Sequence, residues 1–289
     1  MAESPSHKFG QIIGNLLEDI IGPILSKFAE QKHLYLDHQK NLRKVRNGKK
    51  VTWEDANGNV HDLDYVLEKY GTDTTIGTPV AFIEVAWRRY TKHSRNKAQE
   101  IQGAILPLAE KYRWSNPFLG AVLSGIFTKN SIEQLRSLGF HVLYFPYETL
   151  VAAFATESIN IAFDESTPDA VFRKCVKKID SASRQRIDRI KQHLLTANQE
   201  QLNEFVAALN SRLERMVEKI ILVPLYGTSN EFATIDDAVR FLNHYSVSES
   251  SDDFRKYEVI IRFSNGDQAE GSFREKARVE EFLQLIARQ

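Results

Sequence analysis

Two acidic residues in the first third of the chain stand where an acid is costly. Asp64 lies in NVHDLDYVL (59–67) and Glu84 in PVAFIEVAW (79–87), both of which read as strands. Side chains alternate along a strand. Asp62 and Asp64 therefore share a face with Val60 and Val66, and Leu63, Tyr65 and Leu67 take the other. In 79–87 one face carries Val80, Phe82, Glu84 and Ala86, and the other Ala81, Ile83, Val85 and Trp87. A strand apolar on both faces belongs inside a sheet, and a lone carboxylate there needs a partner. Asp62 alone reads as an ordinary edge residue. Asp64 and Glu84, on neighbouring strands, together suit a divalent cation, because Mg²⁺ takes a few carboxylate oxygens and completes its shell with water and phosphate. Glu18 in GNLLEDII is a candidate third ligand. It shares a helix flank with Gly14, Ile21 and Leu25, and Gly14 one turn earlier clears space beside it. An ordinary amphipathic flank has the same pattern.

A basic segment follows the second strand. RRYTKHSRNK (88–97) holds Arg88, Arg89, Lys92, His93, Arg95 and Lys97, with no acid until Glu100. Such a run either lies solvated or grips phosphates. Lys97 precedes Ile101 by four residues, so it sits on the apolar face of the next helix, within reach of the sheet end or of solvent. Gln99 and Gln102 on that helix could orient water or contact DNA. The eight histidines show no metal-ligand spacing.

The whole chain bounds these ideas. It has 289 residues, with 38 Lys+Arg against 38 Asp+Glu. Zero net charge argues against a generic polyanion binder. The total conceals basic clusters at 40–50, 88–97 and 172–191, the last with eight Lys/Arg opposed only by Asp180 and Asp188. That last cluster reads as DNA-backbone contact or as a solvated helix face. An apolar fraction of 42% and a charged fraction of 26% exclude wholesale disorder and a collagen-like chain. The single cysteine, Cys175, excludes an intramolecular disulfide and a zinc-type cysteine cluster, which points to a reducing, cytoplasmic setting. There is no secretory signal pattern and no apolar run near the ~20 residues of a membrane span, so no membrane partner is expected.

The elements that would position these residues follow from periodicity. Residues 9–31 have helical apolar spacing, and Pro23 should kink or break that helix near Ile21–Gly22. VTW (51–53) and 59–67 form a hairpin about Asn57-Gly58. After the strand 79–87 comes a helix with Ser94 as its N-cap, then a strand (118–128), a helix (131–140), a strand (141–147) and a helix. The order α-β-β-β-α-β-α-β is a mixed α/β sheet with helices on its faces. Residues 168–220 read as helical, with a capping box at Asn198 and Gln201. The remainder forms a small α+β module with a hairpin about Asn265-Gly266.

Over residues 8–155 the chain resembles the PD-(D/E)XK nuclease superfamily, which includes type II restriction endonucleases, junction resolvases and repair exonucleases. The resemblance rests on G-x-x-x-E (Gly14 to Glu18), on Asp64 in LDYV, on Glu84 in IEVAW, and on the order of the elements around them. It implies a restriction-endonuclease-like mixed β-sheet core flanked by helices (1–165), followed by a helical region (166–218) and a small α+β C-terminal module (219–289). It further implies Asp64, Glu84 and Glu18 as Mg²⁺ ligands, with Mn²⁺ able to substitute, and a lysine that offsets charge on the phosphate. DNA contacts are expected from Arg88, Arg89, Lys92, His93, Arg95, Gln99 and Gln102. Two departures stand out. Leu63 takes the place of the motif proline, and Ala86 stands two residues after Glu84, where the motif lysine belongs. Members of the superfamily relocate that lysine, which points to Lys97 first, Lys92 second and Arg88 third. The expected activity is Mg²⁺-dependent, sequence-specific double-strand DNA cleavage of restriction or defence type, by a homodimer. The alternatives are a non-catalytic DNA-binding protein on the same fold, or an interaction or assembly subunit.

Overall fold

The first helix, α1 (Pro5–Gln31), begins with proline at N1 and with the Ser4 hydroxyl accepting the His7 N–H. In chain order there follow β1 (Tyr35–His38), β2 (Val51–Glu54), β3 (Val60–Leu63), β4 (Tyr65–Lys69), β5 (Thr78–Arg88) and α2 (Thr91–Lys111). Next come β6 (Phe118–Gly125), α3 (Lys129–Ser137), β7 (Phe140–Pro146), α4 (Tyr147–Ala155), α5 (Asp169–Asp180), α6 (Arg184–Ala197) and α7 (Gln199–Leu213). The C-terminal part holds β8 (Val217–Leu225), β9 (Asn230–Phe232), α8 (Ile235–His244), β10 (Lys256–Phe263), β11 (Gln268–Phe273) and α9 (Lys276–Ala287). This computed structural model describes residues 4–225, 228–245 and 255–287, without the side chains of residues 91–93 and 225.

The chain divides into two compact units, Met1–Leu209 and Asn210–Gln289. The first is built on a five-stranded sheet of order β1-β4-β5-β6-β7. β1, β4 and β5 run antiparallel, and β5, β6 and β7 run parallel. Parallel neighbours need crossovers, which α2 and α3 supply. β6 is buried along its whole length, as expected of a parallel strand with both faces covered. The expected mixed α/β architecture is therefore present. Of the stretch 166–218, α5 packs against α1 and α6 against α4, all within the first unit. In the second unit, β11-β10-β8-β9 form an antiparallel sheet whose apolar side packs on α8 and α9. Among the described residues no helix is long and apolar enough to cross a membrane.

Several local expectations are corrected. Residues 59–67 are not one strand. The chain bends at Asp64, β3 pairs with β2 in a separate hairpin, and β4 joins the main sheet. Pro23 does not break α1. The helix runs through it with Ile20, Ile21 and Leu25 buried on either side, and Tyr65 Oη donates to the Glu18 carbonyl at 3.0 Å. A Cβ on Gly22 would come within 3.2 Å of that same hydroxyl, so glycine lets β4 approach the helix. Ser94 is not the cap of α2. The helix starts at Thr91, and Ser94 lies one turn inside it, buried. Asn198 and Gln201 form no capping box. The Asn198 amide donates to the Leu194 carbonyl, and Gln201 accepts the N–H of Tyr144 on β7.

The basic segment 40–50 is mostly paired within the chain, its arginines inside the fold and its lysines at the surface. Arg43 is fully buried and donates to Asp37 at 2.7 Å and to Glu68 at 2.5 Å, and both carboxylates are buried too. Its guanidinium also takes the carbonyls of Thr72 and Thr75, which ties down the loop between β4 and β5. Arg46 reaches Asp37, Lys44 reaches Asp73, Lys50 reaches Asp62, and Lys40 reaches Asp19.

Candidate active site

The bend at Asp64 sets the geometry of the site. The β4–β5 ladder ends with Tyr65 opposite Ile83, which leaves Asp64 facing Glu84 and Val85. The Asp64 N–H donates to Glu84 Oε1 at 3.3 Å, and Asp64 Oδ2 accepts the Val85 N–H at 2.7 Å. The two acids thus hold each other across adjacent strands. Among the described residues no hydrogen bond reaches the second oxygen of either carboxylate.

Burial governs their electrostatics. Glu84 is only 7% exposed. Desolvation first, and then the negative charge of Asp64, push its pKa up from 4.5 to about 8, against the pull of Lys97 and of the Asp64 N–H. Burial raises Asp64 to about 6, with the Val85 N–H and Lys97 pulling down and Glu18 adding to the rise. Among the described residues no cation pairs directly with either carboxylate. Hard carboxylate oxygens, desolvated and partly unused, fit a divalent cation that brings its own water or phosphate ligands. Among the described residues no three His, Cys, Asp or Glu side chains assemble a ready-made metal cage.

The other sequence candidates divide. Glu18 is close enough to raise Asp64, but its own carboxylate pairs with Lys40 at 3.5 Å. Lys40 belongs to the basic cluster 40–50, but only the fold brings it to Glu18, from a loop after β1. Phe82 and Ala86 flank Glu84 on its face and share a core cluster with Ala98, Ile101 and Ile105 of α2. Lys97 borders that packed stripe, 20% exposed, with its charge felt by both acids. Ala86 is buried, so the motif position two residues after Glu84 is filled by core packing. Glu100 is a further residue that the sequence reading passed over. Its carboxylate stands 3.6 Å from Arg88 and 3.5 Å from Lys97, bridging the two cations.

No protein-family model and no curated protein matches the chain. Among solved structures, a protein of unknown function designated AF1548 aligns at 10% identity with a TM-score of 0.27. The alignment spans 68% of this chain and 99% of that one, and a similarity this low carries no structural argument.

The expected DNA contacts fall in three groups. Arg88 and Arg89 line a cleft of about 780 Å³, together with Phe9, Gly10 and Gly14 of α1 and Trp87 of β5. Gly125 closes the end of β5. Its φ is 94°, and a Cβ there would meet the Arg88 carbonyl at 2.1 Å, so only glycine fits. The Arg89 guanidinium lies 4.3 Å from the rings of both Tyr90 and Phe172, with Nε and one terminal nitrogen buried and unbonded among the described residues. Arg95 and Gln99 are exposed on α2, whereas Gln102 is engaged by Gln134 of α3 at 3.2 Å. The side chains of Lys92 and His93 lie outside the described residues. Cys175 is buried and its thiol pushed up to about 11 by desolvation, which leaves it inert as a nucleophile.

Proposed function

We propose that this chain is a Mg²⁺-dependent DNA endonuclease of the PD-(D/E)XK type, making sequence-specific double-strand cuts of the restriction or defence kind. One observation carries the proposal. Asp64 and Glu84 face each other across β4 and β5 with raised pKa values, each has an oxygen without a hydrogen bond among the described residues, and the charge of Lys97 acts on both. Bound between the two carboxylates, Mg²⁺ or Mn²⁺ would polarise the phosphodiester and make water a stronger nucleophile at neutral pH. Asp64 and Glu84 hold that ion, and Glu18 assists through its charge. Lys97 offsets the negative charge that builds on the phosphate, the work of the motif lysine that Ala86 cannot do. Arg88 and Arg89 in the adjoining cleft position the strand. A homodimer in the cytoplasm suits a palindromic target.

The test is incubation of the purified protein with long duplex DNA and Mg²⁺, beside Asp64→Asn and Glu84→Gln. Discrete fragments that both substitutions abolish support the proposal. The burial of Ala86 in the core favours a second reading, a DNA-binding protein that does not cut. Duplex binding with no cleavage in Mg²⁺ or Mn²⁺ would establish that reading instead. A protein that neither binds nor cuts duplex, branched or single-stranded DNA would be an interaction or assembly subunit.

A further inference from the structure

Folding sorts the eight basic side chains of residues 172–191. Arg186 and Arg189 both reach Glu157, at 3.1 and 2.6 Å. Lys191 pairs with Asp19 at 3.2 Å, and Arg184 stands 3.9 Å from Asp188. Lys178 donates to the Ser158 carbonyl. Arg173, Lys174 and Lys177 remain. All three are exposed, and none is paired with a carboxylate among the described residues.

These three occupy the solvent side of α5, whose other side buries Phe172, Cys175, Val176 and Ile179. Arg173 and Lys177 stand one turn apart, where like charges repel. The helix therefore holds three exposed cations in one stripe, with Asp169 one turn before Arg173 and Asp180 one turn after Lys177, neither within ion-pair distance of them. The buried side of the same helix adjoins the cleft of Arg88 and Arg89. Phe172, the residue before Arg173, packs on Phe9 of α1 at 5.8 Å and under the Arg89 guanidinium at 4.3 Å. Phe9 and Arg89 both line the cleft that Arg88 shares.

We infer that the exposed face of α5, through Arg173, Lys174 and Lys177, is a contact surface for the phosphate backbone of duplex DNA, extending the track that begins at Arg88 and Arg89. The inference rests on DNA being the partner, as in the proposed function, and does not require that the protein cut it. A phosphate backbone matches a row of flexible, unpaired cations, because each contact releases condensed counterions from the duplex. It requires no base-specific geometry, and α5 presents none.

The experiment measures binding of a labelled duplex by fluorescence anisotropy in EDTA, from about 50 to 200 mM salt. The variant Arg173→Gln/Lys174→Gln/Lys177→Gln is compared with wild type and with Arg255→Gln/Arg262→Gln/Arg274→Gln. The latter makes the same charge change at exposed positions of the second unit. Each phosphate contact contributes about 0.9 to the slope of log affinity against log salt. The α5 variant should lose about 2–3 of that slope and bind roughly tenfold more weakly at low salt, while the control keeps the wild-type slope. A wild-type slope in the α5 variant would overturn the inference, as would an equal loss in the control or a wild-type protein that binds no duplex. Binding with an α5-dependent slope but no cleavage in Mg²⁺ would remove the nuclease reading and leave this surface standing.

Discussion

Asp64 gives its backbone N–H to the carboxylate of Glu84 at 3.3 Å and receives the N–H of Val85 on its own carboxylate at 2.7 Å. This reciprocal arrangement explains how two acids persist side by side in an apolar part of the sheet. Each has one polar contact with the neighbouring strand. Two N–H donors offset part of the cost of burial, and desolvation, with no cation paired directly to either acid, leaves a deficit that raises both pKa values.

That deficit predicts an unusual pH dependence of stability without metal. Glu84 in the fold titrates near 8, above its ordinary 4.5, so the fold favours the protonated acid. The stabilisation it contributes is fully present below about 4.5 and is lost as pH rises through about 8. Glu84→Gln should therefore be more stable than wild type at pH 9 in EDTA, by about 1–3 kcal/mol, and should show a flatter pH profile. Urea unfolding midpoints across this range measure it. A Glu84→Gln protein less stable than wild type at pH 9 would contradict the account.

The same pair predicts metal-dependent stabilisation. Mg²⁺ added in excess of its dissociation constant should raise the unfolding free energy of wild type, by about 2.7 kcal/mol at a hundredfold excess. Asp64→Asn should abolish the shift. Equal stabilisation of both proteins would place any metal elsewhere.

Lys97→Ala should reduce cleavage by about 10²–10³-fold if Lys97 supplies the displaced cation, because one lost stabiliser of transition-state charge costs that much. Its unfolding free energy should stay within about 0.5 kcal/mol of wild type, since the side chain borders the core without filling it. Normal cleavage by this variant would transfer the role to Lys92 or Arg88.

Arg43→Met tests the staple below the site. The substitution leaves Asp37 and Glu68 as buried carboxylates short of their main cation. The expected loss is about 3–5 kcal/mol in urea unfolding. A loss below about 1 kcal/mol would mean that water reaches these acids once the guanidinium is gone.

Much of the frame is legible without coordinates. Asn265-Gly266 predicts the hairpin of β10 and β11, and the apolar run at 118–128 predicts a buried strand, which is β6. Gly139 marks the end of α3. These are local signals, in which a residue's own backbone preference or the burial of its own face decides the outcome. β1 escaped because its four residues, Tyr35–His38, are too few to display a period and are held by pairing with β4. The bend at Asp64 escaped because the alternation of 59–67 continues unbroken in the sequence while its hydrogen bonds change partners in space.

The sequence by itself determined the α/β alternation, the anomaly of acids among apolar neighbours at 64 and 84, and the absence of a lysine two residues after Glu84. Tertiary structure decided which charges meet. It turned Asp64 toward Glu84, paired most of the basic segment 40–50 with carboxylates remote in sequence, and gave Glu18 to Lys40. It also joined Lys191 to Asp19, 172 positions away, while leaving Arg173, Lys174 and Lys177 in solvent. The reason is physical. Periodicity records which face of an element is buried, whereas an ion pair depends on distance, and distance between remote residues exists only once the sheet and its helices have packed.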